Sequence, residues 1–293
     1  RGTGASAPVP GMGHLAVPTS PLPLAAAFAS YRAGHAQAAE TACLRFLRQR
    51  PHDPAALQLL GILLYDRGEF DAASDRVAHS LQVRPDHPAT LLLAGRIALA
   101  RADTDAAIGW FDRALAGLPA SQDVRMLLAQ AHFARAKGLH AAGNLDQAAS
   151  SFGRAGELMP AAKEVALNHG LTLAALRQHG EAAVAFERAV EIAPGFADAW
   201  FQLGLARQDL GQTKEAADAF GQVLRLRPSD AEAAVNLGIV LQEARELDRA
   251  LEAYRVAIRL RPATFGRVAQ AVTAGRAGCL CLNLEDLRRL LAA

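Results

Sequence analysis

Residues 197–228 read ADAWFQLGLARQDLGQTKEAADAFGQVLRLRP. Apolar stripes of helical period lie on either side of Gly211, and Pro228 closes the second. Gly204 and Ala216 are small enough to let two antiparallel helices approach closely, and Phe220 fills the space beside them. Gly211 tolerates a positive φ and so ends the first helix. Pro228 stops the second, because it lacks an N–H and clashes with the preceding turn. The stretch is predicted to be a helix–turn–helix.

The same punctuation recurs along the chain. Prolines close helix-like stretches at Pro51, Pro85, Pro119, Pro160, Pro194, Pro228 and Pro262, spaced 34, 34, 41, 34, 34 and 34 residues apart. Twelve residues before each stands Ala39, Ala73, Ala107, Ala148, Ala182, Ala216 or Ala250, and eight before it Cys43, Val77, Phe111, Phe152, Phe186, Phe220 or Tyr254. Gly34, Gly68, Gly143 and Gly211 fall seventeen before. Asp53-Pro54 reads as an N-cap followed by proline at the first helical position. This pattern resembles the tetratricopeptide repeat, a helix–turn–helix unit of 34 residues, with Trp200, Leu203, Gly204, Gly211, Ala216, Phe220 and Pro228 giving the fullest match.

The resemblance implies an all-α fold, a right-handed superhelical solenoid of helix–turn–helix units with a helical C-terminal cap. Seven units are expected at 20–53, 54–87, 88–121, 122–162, 163–196, 197–230 and 231–264. The fourth carries a seven-residue insertion between Gln122 and Asn144. Seven residues are about two helical turns, so a longer helix keeps its apolar stripe nearly in register; Gly138 leaves a kink or loop open. Ala102 and Arg245 stand where the turn glycine is usual, and in the fifth unit the glycine is read as displaced to Gly180. Residues 265–293 do not repeat the pattern and are expected to cap the last unit. Phe265–Thr273 would form one helix, and Asn283 would start another that carries Leu284, Leu287, Leu290 and Leu291.

Composition narrows the function classes. Of 293 residues 51% are hydrophobic and 5% aromatic, so the core is built from Ala and Leu. With 31 basic and 29 acidic residues the net charge is +2, which offers no global field for gripping nucleic acid. No apolar run reaches the roughly 18 residues of a membrane helix. Three cysteines, two of them at Cys279 and Cys281, make no disulfide framework. Residues 1–19, rich in Gly, Pro and Ala, are expected to be a flexible lead-in. The alanine-rich, lysine-poor composition predicts a GC-rich bacterial source. The expected compartment is the cytoplasm; a chain beginning at Arg1 keeps the periplasm as the alternative.

Candidate chemistry is sparse. Gly11-Met-Gly-His-Leu-Ala16 has the letters of a dinucleotide fingerprint but neither a strand before it nor a βαβ unit after it. Cys279-x-Cys281 lacks the spacing and the second pair of a zinc site. His132 and His140 are about 80° apart on one helix, His52 and His87 fall in turns, and no histidine is read as a ligand. No enzyme activity, cofactor or metal is therefore expected.

The surface remains. In the family the first helix of each unit lines the inner wall, and positions 2, 6, 9 and 13 share a face. In the last three units that face reads Glu164, Asn168, Leu171, Ala175; Asp198, Gln202, Leu205, Asp209; and Glu232, Asn236, Ile239, Glu243. Gln208 and Gln242 add a second amide row. Amides both donate and accept, so such a ladder can hold the backbone of an extended peptide, and the five carboxylates would favour a basic segment. A second, apolar wall is expected from Leu59, Ile62, Tyr65, Leu92, Leu93 and Arg96. The expected function is a protein–protein interaction scaffold with a protein or peptide in its groove. The alternative is the substrate-recruiting arm of a larger transferase, of glycosyl- or sulfotransferase type, because the asparagines resemble those of arrays attached to glycosyl transferases. Nucleic acid is not an expected partner.

Overall fold

The computed structural model describes residues 22–274, which contain fifteen α-helices and one 3₁₀ turn but no strand. The lead-in 1–19, the Gly11–Ala16 motif, Cys279, Cys281 and the helix expected after Asn283 lie outside the described residues. Helices follow one another in hairpin pairs: α1 (Leu22–Arg32) with α2 (Ala36–Gln49), α3 (Pro54–Asp66) with α4 (Phe70–Val83), and α5 (Pro88–Ala100) with α6 (Thr104–Gly117). Then come α7 (Gln122–Ala141), α8 (Leu145–Leu158), α9 (Lys163–Ala175) with α10 (His179–Ile192), α11 (Ala197–Asp209) with α12 (Thr213–Leu226), and α13 (Ala231–Glu243) with α14 (Leu247–Leu260). The 3₁₀ turn Pro262–Thr264 leads into α15 (Phe265–Ala274). The chain divides into two compact units, with the boundary between Arg135 and Ala136, inside α7. Within each unit the helices pack chiefly on those next in sequence.

The contact inside a pair is a side chain of the second helix laid over a glycine of the first. A Cβ added at Gly95 would lie 2.4 Å from the Phe111 ring, at Gly170 2.5 Å from Phe186, at Gly204 2.7 Å from Phe220 and at Gly238 2.4 Å from Tyr254. At Gly61 it would meet Val77 at 2.8 Å. These glycines are therefore required by close approach, and the side chains over them are fully buried. The apolar core of the first unit runs from Leu24 through Leu59, Ile62 and Leu93 to Val124. In the second unit two clusters centre on Phe186 and on Phe220 with Tyr254.

Every first helix ends in the same turn. In α3 the Gly68 N–H donates to Tyr65 O at 2.9 Å and the Glu69 N–H to Leu64 O at 2.9 Å, the paired bonds of a Schellman motif. The same two bonds recur after α1, α5, α7, α9, α11 and α13. The motif needs one residue at positive φ. Gly34, Gly68, Gly143 and Gly211 supply it in four turns, and Ala102 (φ 59°), Arg177 (φ 61°) and Arg245 (φ 64°) in the other three. Gly180 lies inside α10 and does not take the turn, so the fifth unit has no displaced glycine. The turn stays in place and Arg177 bears its strain.

The seven added residues are helical. α7 has 20 residues where α3, α5, α9, α11 and α13 each have 13, and Gly138 lies within it. At the other end, Val268 and Val272 of α15 are buried against the cluster that holds Tyr254 and Val240, so α15 covers the apolar side of the last pair. Helix starts are capped at α3 by Asp53, whose Oδ1 accepts from the N–H groups of Ala55 and Ala56, and at α6 and α13 by Asp103 and Asp230.

Two stability outcomes follow from these contacts. Gly204→Ala forces the Phe220 ring aside and should lower stability by about 1–3 kcal/mol, with amides of α11 and α12 losing hydrogen-exchange protection before those of the first unit. Ala102→Gly should act in the opposite direction, by about 1 kcal/mol or less, since relief of the left-handed backbone outweighs the added unfolded-state entropy. Thermal unfolding checks the sign; Gly68→Ala, with nothing near its Cβ position, should show the reverse.

Candidate partner-binding site

In the second unit the accessible faces of α9, α11 and α13 carry most of the residues expected from the repeat. Glu164, Asp198, Asp209 and Glu243 are exposed, Asn168, Gln202, Gln208, Glu232 and Gln242 are half-buried, and Asn236 is buried. Leu171, Leu205 and Ile239 are half-buried beside them. Leu203, Gly204 and Ala206 of α11 point the other way, into the core. The helical period thus divides each helix into a packed side and an accessible side.

The polar groups on that side are not equally free. Asp198 pairs with Arg227 at 2.7 Å, and one repeat later Glu232 pairs with Arg261 at 3.3 Å and also with Arg267. Arg227 and Arg261 each follow the last turn of the same pair's second helix, so these carboxylates clasp the two ends of one hairpin, while Arg267 reaches Glu232 from α15. In the preceding pair Ala193 replaces the arginine, and Glu164 has Lys163 at 3.9 Å. Asp209 lies 3.0 Å from His179 Nδ1. Glu243 accepts a long 3.5 Å bond from Gln208 Nε2. Asn168 donates to the Glu164 carbonyl on its own helix at 2.7 Å. Gln242 has both ends of its amide engaged: it accepts from Tyr254 Oη and donates to Ala271 O, each at 3.0 Å. Gln242 therefore ties α13 to α14 and α15, which the reading of one helix face does not reveal.

The apolar wall expected in the first unit is mostly interior. Leu59, Ile62 and Leu93 are at most 1% exposed and belong to the core, leaving Tyr65, Leu92 and Arg96 half-accessible. Tyr65 packs on Phe70, with ring centroids 5.6 Å apart. Tyr31 donates to Asp66 at 2.9 Å; burial and this carboxylate push the phenol well above its usual range. Arg96 has a buried Nη1 without a hydrogen-bond partner.

Models of the tetratricopeptide repeat match residues 24–75, 59–122, 164–196 and 201–263, more than half of the chain. The chain belongs to the tetratricopeptide repeat family. The unmatched stretch after residue 122 is where this array's period lengthens to 41. Among solved structures, the C-terminal part of a tetratricopeptide repeat-containing protein from Cytophaga hutchinsonii is 13% identical, with a TM-score of 0.54 over 85% of this chain and 99% of that one. A MamA protein is 19% identical with a TM-score of 0.44, covering 60% of this chain and 93% of that one. MamA from Desulfovibrio magneticus RS-1 is also 19% identical, with a TM-score of 0.42 over 60% and 96%. These likenesses are of fold. No curated protein matches the chain. Tetratricopeptide arrays are protein-interaction scaffolds, and this array has such a scaffold's fold. Among the described residues, no helix is long and apolar enough to cross a membrane.

The clefts of the tetratricopeptide array's second unit include two beside its first helices. One, of about 360 Å³, is formed by α13, α14 and α15 and lined by Ile239, Gln242, Glu243, Tyr254 and Ala271. The other, about 560 Å³ and mainly apolar, lies between α8, α9 and α10, with Phe152, Met159, Val165 and Val184 in its walls. His169 lines it, and burial lowers its pKa, with Glu181 opposing the shift. In the first unit, Cys43 is buried and donates to Ala56 O at 3.1 Å, and burial pushes its thiol up to about 12. Gln242→Leu would leave the Tyr254 hydroxyl and the Ala271 carbonyl without their partner. It should cost about 1–3 kcal/mol, seen as faster hydrogen exchange in α15 with α9 unchanged.

Proposed function

We propose that the second unit holds an extended peptide segment of a protein partner along the accessible faces of α9, α11 and α13. The observation that carries this reading is the recurrence, helix after helix, of a carboxylate, an amide and a half-buried aliphatic residue at equivalent positions. A backbone repeats its donors and acceptors regularly, and a regular row of amides matches it; within the row Gln202 is accessible, whereas Asn168 already donates to its own helix and Asn236 is buried. The aliphatic row Leu171, Leu205 and Ile239 supplies apolar contact beneath. Charge selection falls on Asp209 and Glu243, because Asp198 and Glu232 already hold arginines. Glu243 lines the cleft by α15, where a basic side chain of the segment would sit. No catalysis is assigned in this reading, and the Cys43 thiol is buried.

Anisotropy titrations with short peptides of differing net charge test the reading. Basic extended peptides should bind better than acidic ones. An exposed charge pair contributes about 0.2–1 kcal/mol, so Asp209→Asn with Glu243→Gln should weaken binding roughly two- to thirtyfold and flatten its salt dependence. Asp198→Asn with Glu232→Gln should change affinity less. Binding indifferent to Gln202→Ala and to both double replacements would move the site to the face around Tyr65 and Leu92.

A further inference from the structure

We infer that His52 and His79 form a two-imidazole site for a divalent transition-metal ion of the zinc, nickel or copper class. His52 lies in the turn before α3 and His79 on α4, yet His52 Nδ1 stands 2.7 Å from His79 Nε2, with ring centroids 4.8 Å apart and planes at 65°. Two facing ring nitrogens leave two arrangements open: one donates its proton to the other, or both present lone pairs to a shared cation. Two imidazole nitrogens on one such ion, each at about 2.0–2.1 Å, stand about 2.9–3.4 Å apart. The observed separation is short of that by a few tenths of an ångström. His52 is exposed and His79 half-buried, so the rings have room to part.

The repeat supplies the comparison. One period later, Asp86 and Arg113 occupy the same two places, also 27 residues apart, and Arg113 Nη2 donates to Asp86 Oδ1 at 3.0 Å and to Pro85 O at 2.7 Å. The turn-to-helix clasp is thus an ion pair in one hairpin and a pair of imidazoles in the hairpin before it. Imidazole is the side chain suited to these metals, whereas an arginine–aspartate pair offers them only one weak ligand. Among the described residues no group of three or more His, Cys, Asp or Glu converges, so water completes the coordination and binding is weaker than at a closed four-ligand site. The metal requires each ring's proton on its outer nitrogen, so acid competes with it.

Calorimetric titration of the chain with Zn²⁺ and Ni²⁺ tests the assignment, together with thermal unfolding at increasing metal, because an ion bound only by the folded clasp raises Tm with concentration. One saturable site is expected, weakened at least tenfold by His52→Ala or His79→Ala. The double variant His52→Asp with His79→Arg rebuilds the neighbouring ion pair, so it should keep the parent's metal-free melting and lose the metal-dependent rise. Equal metal affinity in the parent and that double variant, or no saturable binding in the parent, would overturn the proposal and leave the pair a hydrogen bond between neutral rings.

Discussion

A side chain of one helix resting where its partner helix has none is the contact on which each repeat depends. Phe111, Phe186, Phe220 and Tyr254 lie over Gly95, Gly170, Gly204 and Gly238 at distances that exclude even a methyl group. Such an approach brings the backbones of a hairpin close and lets small residues such as Ala216 and Ala250 be fully buried. It also explains a core with few aromatics: one ring per hairpin suffices when the other contacts are alanine against backbone. In the first hairpin the places of glycine and ring are taken by Ala27 and Cys43, both fully buried, so the two positions exchange size between them.

Much of this was legible in the sequence because the determinants are local and periodic. A 34-residue proline spacing and the glycine and ring positions announce the hairpins, and the tetratricopeptide family follows from them. Turn chemistry was less legible. Ala102, Arg177 and Arg245 adopt a backbone that their side chains disfavour, and the reading of Gly180 as a displaced turn residue was wrong for that reason. Two backbone bonds per turn, supported by the packing on both sides, outweigh a local cost of about 1–2 kcal/mol. The length of α7 was left open in the sequence, since Gly138 weakens a helix without forbidding it.

Helix faces were legible in the sequence, but the state of the side chains on them was not. Helical spacing placed Asp198, Gln202, Glu232 and Asn236 on one side of their helices, yet it said nothing of Arg227 and Arg261, which approach from the second helix of each hairpin. Those arginines are themselves 34 residues apart, so extending the periodic comparison to charged positions would have found them. The same comparison sets His52 against Asp86 and His79 against Arg113. Leu59, Ile62 and Leu93 were misplaced on a groove wall because an apolar first helix has no polar side to mark which face is free.

Packing chiefly between sequence neighbours has a mechanical corollary. No long-range strand pairing or chain crossing locks the described helices together, so a hairpin can detach at the cost of its own contacts and those with its neighbours. Pulled by its ends, such a chain should lengthen in small successive steps, each about the size of one or two hairpins, rather than rupture at a single force. The clasps between turns and second helices, Arg113 with Asp86 and His52 with His79, would then act as individual latches whose strength decides which step comes first.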